Sequence, residues 1–103
     1  MKKLILFLLF IVASAASIYA QQVTGVIVDG VTQEPLPGVN VTIKGTTTGD
    51  ISDMNGEYTL EVSGPGAVLV FSYVGYVTTE ETVGNRTTIN VSLAEDLVGL
   101  DEV

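Results

Sequence analysis

Neither cysteine nor histidine occurs in these 103 residues, and tryptophan is absent too. Without cysteine there is no disulfide, no thiolate nucleophile and no site for a lipid anchor on a processed N-terminal cysteine. Without histidine the usual zinc-ligand spacings and the Ser-His and Cys-His nucleophile systems are ruled out. Cations are scarce as well: four Lys and Arg stand against twelve Asp and Glu. Lys2 and Lys3 lie at the extreme N-terminus, so Lys44 and Arg86 are the only cations in the rest of the chain. Phosphate backbones are bound through clustered Lys and Arg, and this chain has no such cluster. A nucleic-acid partner is therefore excluded, and the charge balance describes an acidic, self-repelling domain.

Long apolar runs are also missing. The longest, Leu4 to Ala13, is too short for a bilayer span of about 20 residues. It sits instead inside "MKKLILFLLFIVASAASIYAQQ", which has the charged start, apolar centre and small-residue end of a secretory signal. Cleavage is expected between Ala20 and Gln21, with Ala16 as the alternative, because Ile18 is bulky for the −3 position. Residues 1–20 are read as the signal peptide, leaving an exported chain with no membrane span. The mean hydropathy of +0.48 owes much to this leader. The remainder suits one small domain, which buries only about 60–65% of its unfolded surface.

Strand patterns recur at short intervals, and no helix-period stretch of useful length appears. "QVTGVIVD" (22–29) is β-branched and stops at Asp29-Gly30. In "VNVTIK", Val39, Val41 and Ile43 share one face; in "EYTLEV", Tyr58, Leu60 and Val62 do. That period of two describes a sheet with one wet side. "AVLVFSY" (67–73) is apolar on both faces and is expected in the middle of the sandwich. "YVTTEETV" (76–83) is polar enough for an edge. "RTTINVSL" (86–93) turns Thr87, Ile89, Val91 and Leu93 to one side, and a short strand at 50–53 completes seven. "DMNG" (53–56) is a turn signal, and "SGPG" (63–66) and "VGN" (83–85) are expected to close hairpins. "EPLPG" (34–38) cannot be a central strand and reads as a rigid extended connection. These patterns add up to an all-β, seven-stranded β-sandwich.

Candidate chemistry is sparse. "DISDMNGE" (50–57) suggests calcium, but aligning Gly56 with the glycine of an EF-hand loop puts Ile51 and Val62 at the first and last ligand positions, where acids are required. A non-EF site on Asp50, Asp53 and Asn55 is the weaker alternative. Glu80-Glu81 are adjacent in a strand and point to opposite faces, so they cannot flank one glycosidic bond. Lys44 on a polar strand face is a poor candidate for an isopeptide bond, which is a buried linkage. The sequons at Asn40, Asn85 and Asn90 are what Asn- and Thr-rich strands produce by chance. "SYVGY" (72–76) reads as packing at a strand corner, with a binding surface as the alternative. No catalytic residue, cofactor or metal is indicated.

The run "GVIVDGVTQEPLPGVNVTIKGTTTGDISDMNGEYTLEV" and, after it, "LVFSYVGY" resemble the carboxypeptidase-regulatory-like domain. The resemblance covers about residues 23–93. It rests on Pro35 to Val39, Gly45-Thr46, Gly49, Asp53, Gly56, Tyr58 and Ser72 to Tyr76, with Asp50 a departure from the commoner Thr. It implies a Greek-key, transthyretin-like (prealbumin-like) sandwich over 21–93. A signal peptide, this domain and then "LDEV" is similar to the opening of SusC/RagA-type TonB-dependent outer-membrane receptors. By that resemblance, Leu100, Asp101, Glu102 and Val103 are the start of a TonB box, cut short at the chain's end, and 94–103 is a flexible lead-in to it. The implied partners are a TonB-type energy transducer and, for a full receptor, a lipoprotein lid; the implied location is the periplasmic face of the outer membrane. The box works by adding a strand to its partner's sheet. A stand-alone exported module binding a protein or carbohydrate is the alternative, and the carboxypeptidase in the domain's name does not make this chain an enzyme.

Residues 21–93 are expected to fold alone. Heat and denaturant unfolding monitored by circular dichroism and by tyrosine fluorescence should give one coincident transition. Gradual transitions that differ between probes would refute this.

Overall fold

Alternating apolar and polar side chains divide the chain into strands, and the apolar sides meet in one core. The computed structural model describes residues 21–97. Its strands are β1 (Gln21–Asp29), β2 (Asn40–Ile43), β3 (Gly49–Ile51), β4 (Glu57–Val62), β5 (Val68–Ser72), β6 (Thr79–Thr82) and β7 (Val91–Leu93). They form a three-stranded sheet in the order β4-β1-β7 and a four-stranded sheet in the order β3-β2-β5-β6. β4 runs antiparallel to β1 with Val23 opposite Leu60, whereas β7 runs parallel to β1 with Ile27 opposite Val91. The fold is the all-β seven-stranded sandwich expected from the sequence.

The period-two positions behave as expected. Val39 and Val41 of the second pattern and Tyr58, Leu60 and Val62 of the fourth are buried, with Ile43 packed against them. Tyr58 from one sheet meets Phe71 from the other edge-to-face, with ring centroids 5.4 Å apart. Such contacts add to simple area burial.

The turns bend where the sequence marks them, but they join different partners. Each of 53–56, 63–66 and 83–85 carries the chain from one sheet to the other, so none closes a hairpin. The hairpins are β2–β3 and β5–β6. Turn chemistry fixes a local bend. Pairing is chosen by which apolar faces can meet, and a short link reaches across a gap of about 10 Å as easily as it reverses within a sheet. "AVLVFSY" is internal to the four-stranded sheet, between β2 and β6. Only Leu69 and Phe71 are buried; Val68 and Val70 are half-buried on the outer side, since two layers cover one face each. The acidic β6 is an edge, as its polarity requires.

"EPLPG" is more than a spacer. Asp29 N donates to the Glu34 carbonyl and Leu36 N donates to the Ile27 carbonyl, so the arm lines β1 just beyond the end of β4. Gly56 lies under it with φ +75°, where a Cβ would come 2.5 Å from the Ile27 carbonyl oxygen. Ser52, also buried, accepts from Val39 N at 2.9 Å and donates to the Leu36 carbonyl at 2.7 Å, pinning the arm to the second sheet.

The expected strand 86–93 is regular only over Val91–Leu93, for a definable reason. Thr24 N donates to the Thr87 carbonyl, and Ile89 N donates to the Thr24 carbonyl. Next in this parallel ladder, the Ile89 carbonyl would serve Val26 N. It is instead turned across Gly25 to accept from the buried Tyr58 hydroxyl at 2.6 Å. Asn90 Oδ1 replaces it, accepting from Val26 N at 2.9 Å. Gly25 is required here because any Cβ would overlap the Ile89 carbonyl.

Two substitutions test this crossing. Gly25→Ala should destabilise by about 3 kcal/mol, an overpacking cost, although Gly to Ala in a strand ordinarily gains about 0.5–1 kcal/mol. Tyr58→Phe should lose about 1–3 kcal/mol by stranding a buried carbonyl. Urea titration measures both, and a neutral or stabilising Gly25→Ala would contradict this role for the glycine.

Candidate functional site

The chain leaves the sandwich at a corner built from "SYVGY". Tyr76 N donates to the Tyr73 carbonyl across a tight turn whose third residue, Gly75, has φ +89°. Glycine suits that left-handed position. The turn stacks Tyr73 on Tyr76 with centroids 5.7 Å apart, and both rings pack against the core. Val74 at the tip is 93% exposed. The tyrosines therefore pack, as the packing reading expects, and only the tip faces water.

Tyr76 also reaches across the sandwich. Its hydroxyl donates to Asp29 Oδ2 at 2.7 Å, while Asp29 Oδ1 accepts from Val31 N and Thr32 N. Asp29 is a buried carboxylate at the end of β1. The backbone bond from Thr32, the Tyr76 hydroxyl and the Val31 amide hold its carboxyl below the ordinary 3.8. The same bond to Asp29, reinforced by desolvation and nearby negative charge, pushes the Tyr76 phenol up to about 12. Burial pushes Tyr58 to about 12 too.

Beyond Leu93 the chain pairs with this corner. Val77 N donates to the Ala94 carbonyl at 2.8 Å and Asp96 N to the Gly75 carbonyl at 2.9 Å, around a bridge between Tyr76 and Glu95. Ala94 to Asp96, the start of the expected flexible lead-in, are thus hydrogen-bonded to the corner between β5 and β6, because the turn at Gly75 leaves backbone groups facing them. Gln21 opens β1. Ala20 and Leu100, Asp101, Glu102 and Val103 lie outside the described residues.

The acids of "DISDMNGE" serve the backbone. Asp53 Oδ1 accepts from Asn55 N and Glu57 N, and Asp50 Oδ2 accepts from Thr59 N, each at 2.9 Å. Two carboxylates therefore occupy outward amides of β4, an edge strand that would otherwise offer them to another chain. No group of three or more metal-ligating side chains occurs among the described residues. Glu80 pairs with Lys44 and Glu81 with Arg86, each at 3.1 Å and solvent-exposed to a large extent. The adjacent glutamates are thus drawn to different partners. A shallow depression of about 350 Å³ lies over the β1 crossing, lined in part by Thr24, Glu57, Thr59, Thr88 and Asn90. The sequon asparagines differ in role: Asn40 and Asn85 are exposed, whereas the Asn90 side chain completes the β1 ladder at Val26.

Asp29, Ser52 and Gly25 carry more than the sequence reading assigned them. The run Asp-Gly-Val-Thr at 29–32 carries the signal of a carboxylate bonding amides two and three residues ahead. Nothing local connects Asp29 with Tyr76, 47 positions away.

Residues 23–103 match the family described as the CarboxypepD_reg-like domain. Among curated relatives, TonB-dependent receptor SusC of Bacteroides thetaiotaomicron is 39% identical over 105 aligned residues, covering 100% of this chain and 10% of the receptor. A TonB-dependent receptor of Formosa agariphila is 42% identical over 102 residues, covering 96% of this chain and 10% of its own length. The chain thus spans about a tenth of the relatives it matches. Among solved structures, a chain of a type II cohesin–X-dockerin complex from Acetivibrio cellulolyticus aligns with TM-score 0.53 at 20% identity, covering 70% of this chain and 52% of that one. The C-terminal domain of shaft pilin spaA from Lactobacillus rhamnosus GG aligns with TM-score 0.50 at 14% identity, covering 75% and 98% respectively. At such identities these show a shared fold.

The Asp29–Tyr76 bond gives the domain pH limits on both sides. Asp29's lowered folded pKa means its contribution is present above 3.8 and lost as pH falls further through the folded value. The phenols of Tyr58 and Tyr76, raised from 10.0 to about 12, contribute fully below pH 10 and lose that contribution between pH 10 and 12. Asp29→Asn should flatten the acid side of a Tm–pH curve and Tyr76→Phe should make the alkaline fall shallower. Curves parallel to wild type would show that the bond does not couple to folding.

Proposed function

Because this chain belongs to the family of CarboxypepD_reg-like domains, we propose that it is the N-terminal periplasmic extension of a TonB-linked outer-membrane nutrient receptor, acting by protein–protein contact. The observation that carries this reading is the coverage. Receptors 39–42% identical match all or nearly all of this chain with about a tenth of their own length. A domain so placed does not transport by itself; it positions the receptor segment attached to its C-terminal end.

Three features support the reading. The leader at 1–20 has the composition of an export signal, with Ala20 and Gln21 flanking the cleavage point. Asp50 and Asp53 protect an edge, and Lys44, Arg86, Glu80 and Glu81 form exposed ion pairs, an arrangement for a domain that presents surfaces. Its last described residues lie against one corner, and Leu100–Val103, the proposed start of the TonB box, follow them in sequence. In that role these four residues pair as an added strand with a TonB-type transducer, through backbone more than side chains. The lipoprotein lid partner belongs to the receptor as a whole. Among the described residues no helix is long and apolar enough to cross a membrane, a statement that does not bear on β-barrels. Catalysis forms no part of the proposal.

The test is to express the full chain with its leader, locate it by fractionation, and titrate the purified product with the periplasmic domain of a TonB-type transducer. Processing after Ala20 and measurable binding are expected. Proline at both Leu100 and Glu102 should weaken that binding at least tenfold, since proline removes strand-pairing amides. Equal binding by wild type and the double-proline variant, or retention in the cytoplasm, would overturn the reading.

A further inference from the structure

From the contrast between Leu93 and the residues after it, we propose that Ala94–Asp96 is a releasable clip, a strand that detaches from Gly75–Val77 while the sandwich stays folded. Leu93 is fully buried, lies opposite Asp29 in the parallel ladder, and its carbonyl accepts from Gly30 N at 2.9 Å. One residue later the character changes. Ala94, Glu95, Asp96 and Leu97 are all exposed, and none contributes a side chain to the core. Two backbone bonds and one bridge hold them, all made with Gly75, Tyr76 and Val77. The boundary between locked and superficial chain therefore falls between Leu93 and Ala94.

No cation strengthens the clip. Glu95 and Asp96 come against a corner whose other titratable groups are Asp29, Tyr73 and Tyr76, with no cation among them. Lys44 and Arg86, the two cations of the described residues, are engaged by Glu80 and Glu81 on the β6 edge. The corner itself is firm. Asp29 holds Tyr76 from the core side, and Tyr73 stacks on its ring. A rigid acceptor edge with an acidic, uncored strand against it opens at the strand. Exchange of such elements from the native state is local unfolding, which leaves the cooperative core closed.

Release has a geometric consequence. Freeing 94–96 lengthens the tether to residues 100–103 by about 10 Å, at about 3.3 Å per residue. It also bares the Gly75 carbonyl and the Val77 amide. Resting on the receptor reading, the clip would regulate how far the proposed transducer segment reaches from the domain: short when docked, long when engaged.

Amide hydrogen exchange on the full chain, measured by NMR, tests the clip itself without any transducer. Val77 and Asp96 amides should exchange at least tenfold faster than the Gly30 amide, which reports the locked side. Asp96→Pro deletes one clip bond and should speed Val77 exchange at least fivefold, leaving Gly30 exchange and Tm unchanged. Glu95→Gln, which removes one negative charge from the Tyr76 corner, should slow Val77 exchange. Equal exchange of Val77 and Gly30 in wild type, or a loss of Gly30 protection together with Tm in Asp96→Pro, would overturn the proposal. Such a failure would leave the receptor reading standing, since that stands or falls on the transducer titration.

Discussion

The hydrogen bond from the Tyr58 hydroxyl to the Ile89 carbonyl, passing over the bare Cα of Gly25, is the contact on which the sandwich turns. It joins all three strands of one sheet region: β4 supplies the phenol, β1 the gap, and the approach to β7 the carbonyl. The same ring meets Phe71 of the opposite sheet, so one side chain ties register and layer packing together. The diverted carbonyl would leave Val26 N unpaired, and Asn90 makes good that loss with a side-chain oxygen. A small domain with no disulfide depends on such multiply used residues, because its core alone offers little surplus.

A second constraint is the management of polar groups where strands end. Asp29, Asp50 and Asp53 each accept backbone amides that would otherwise face water or another chain, and Ser52 accepts one that would otherwise be buried unpaired. Three of these are carboxylates, so part of the chain's acidity is used within the fold, and only the remainder describes its surface. The corner at Tyr76 gathers these themes. One phenol closes the end of β1 through Asp29, while its backbone bridges the departing chain at Glu95.

Much of the architecture was legible in side-chain period. Val39/Val41 and Tyr58/Leu60/Val62 are buried as alternation requires, and the acidic Thr79–Thr82 strand is an edge. The family was legible in the spacing of Pro35–Val39, Gly56 and Ser72–Tyr76, and the family match bears it out. The pairing was not. Turn residues at 63–66 and 83–85 read as hairpins but cross between sheets, because a local bend carries no information about which strand lies beyond it. Nor could the last strand's length be read, since its ladder is interrupted by a bond to a residue 31 positions away.

By itself, then, the order of residues determined the strand faces and the bends, and set the expectations of an export-type leader and of no chemistry that needs cysteine, histidine or clustered cations. These are local or compositional properties, and they need no neighbour in space. Only the tertiary structure decided the sheet order, the roles of Gly25, Ser52, Asn90 and Asp29, and the docking of Ala94–Asp96 on the Tyr76 corner. Each depends on a partner distant in sequence, and a hydrogen bond or a close approach between such residues leaves no trace in the pattern of either one alone.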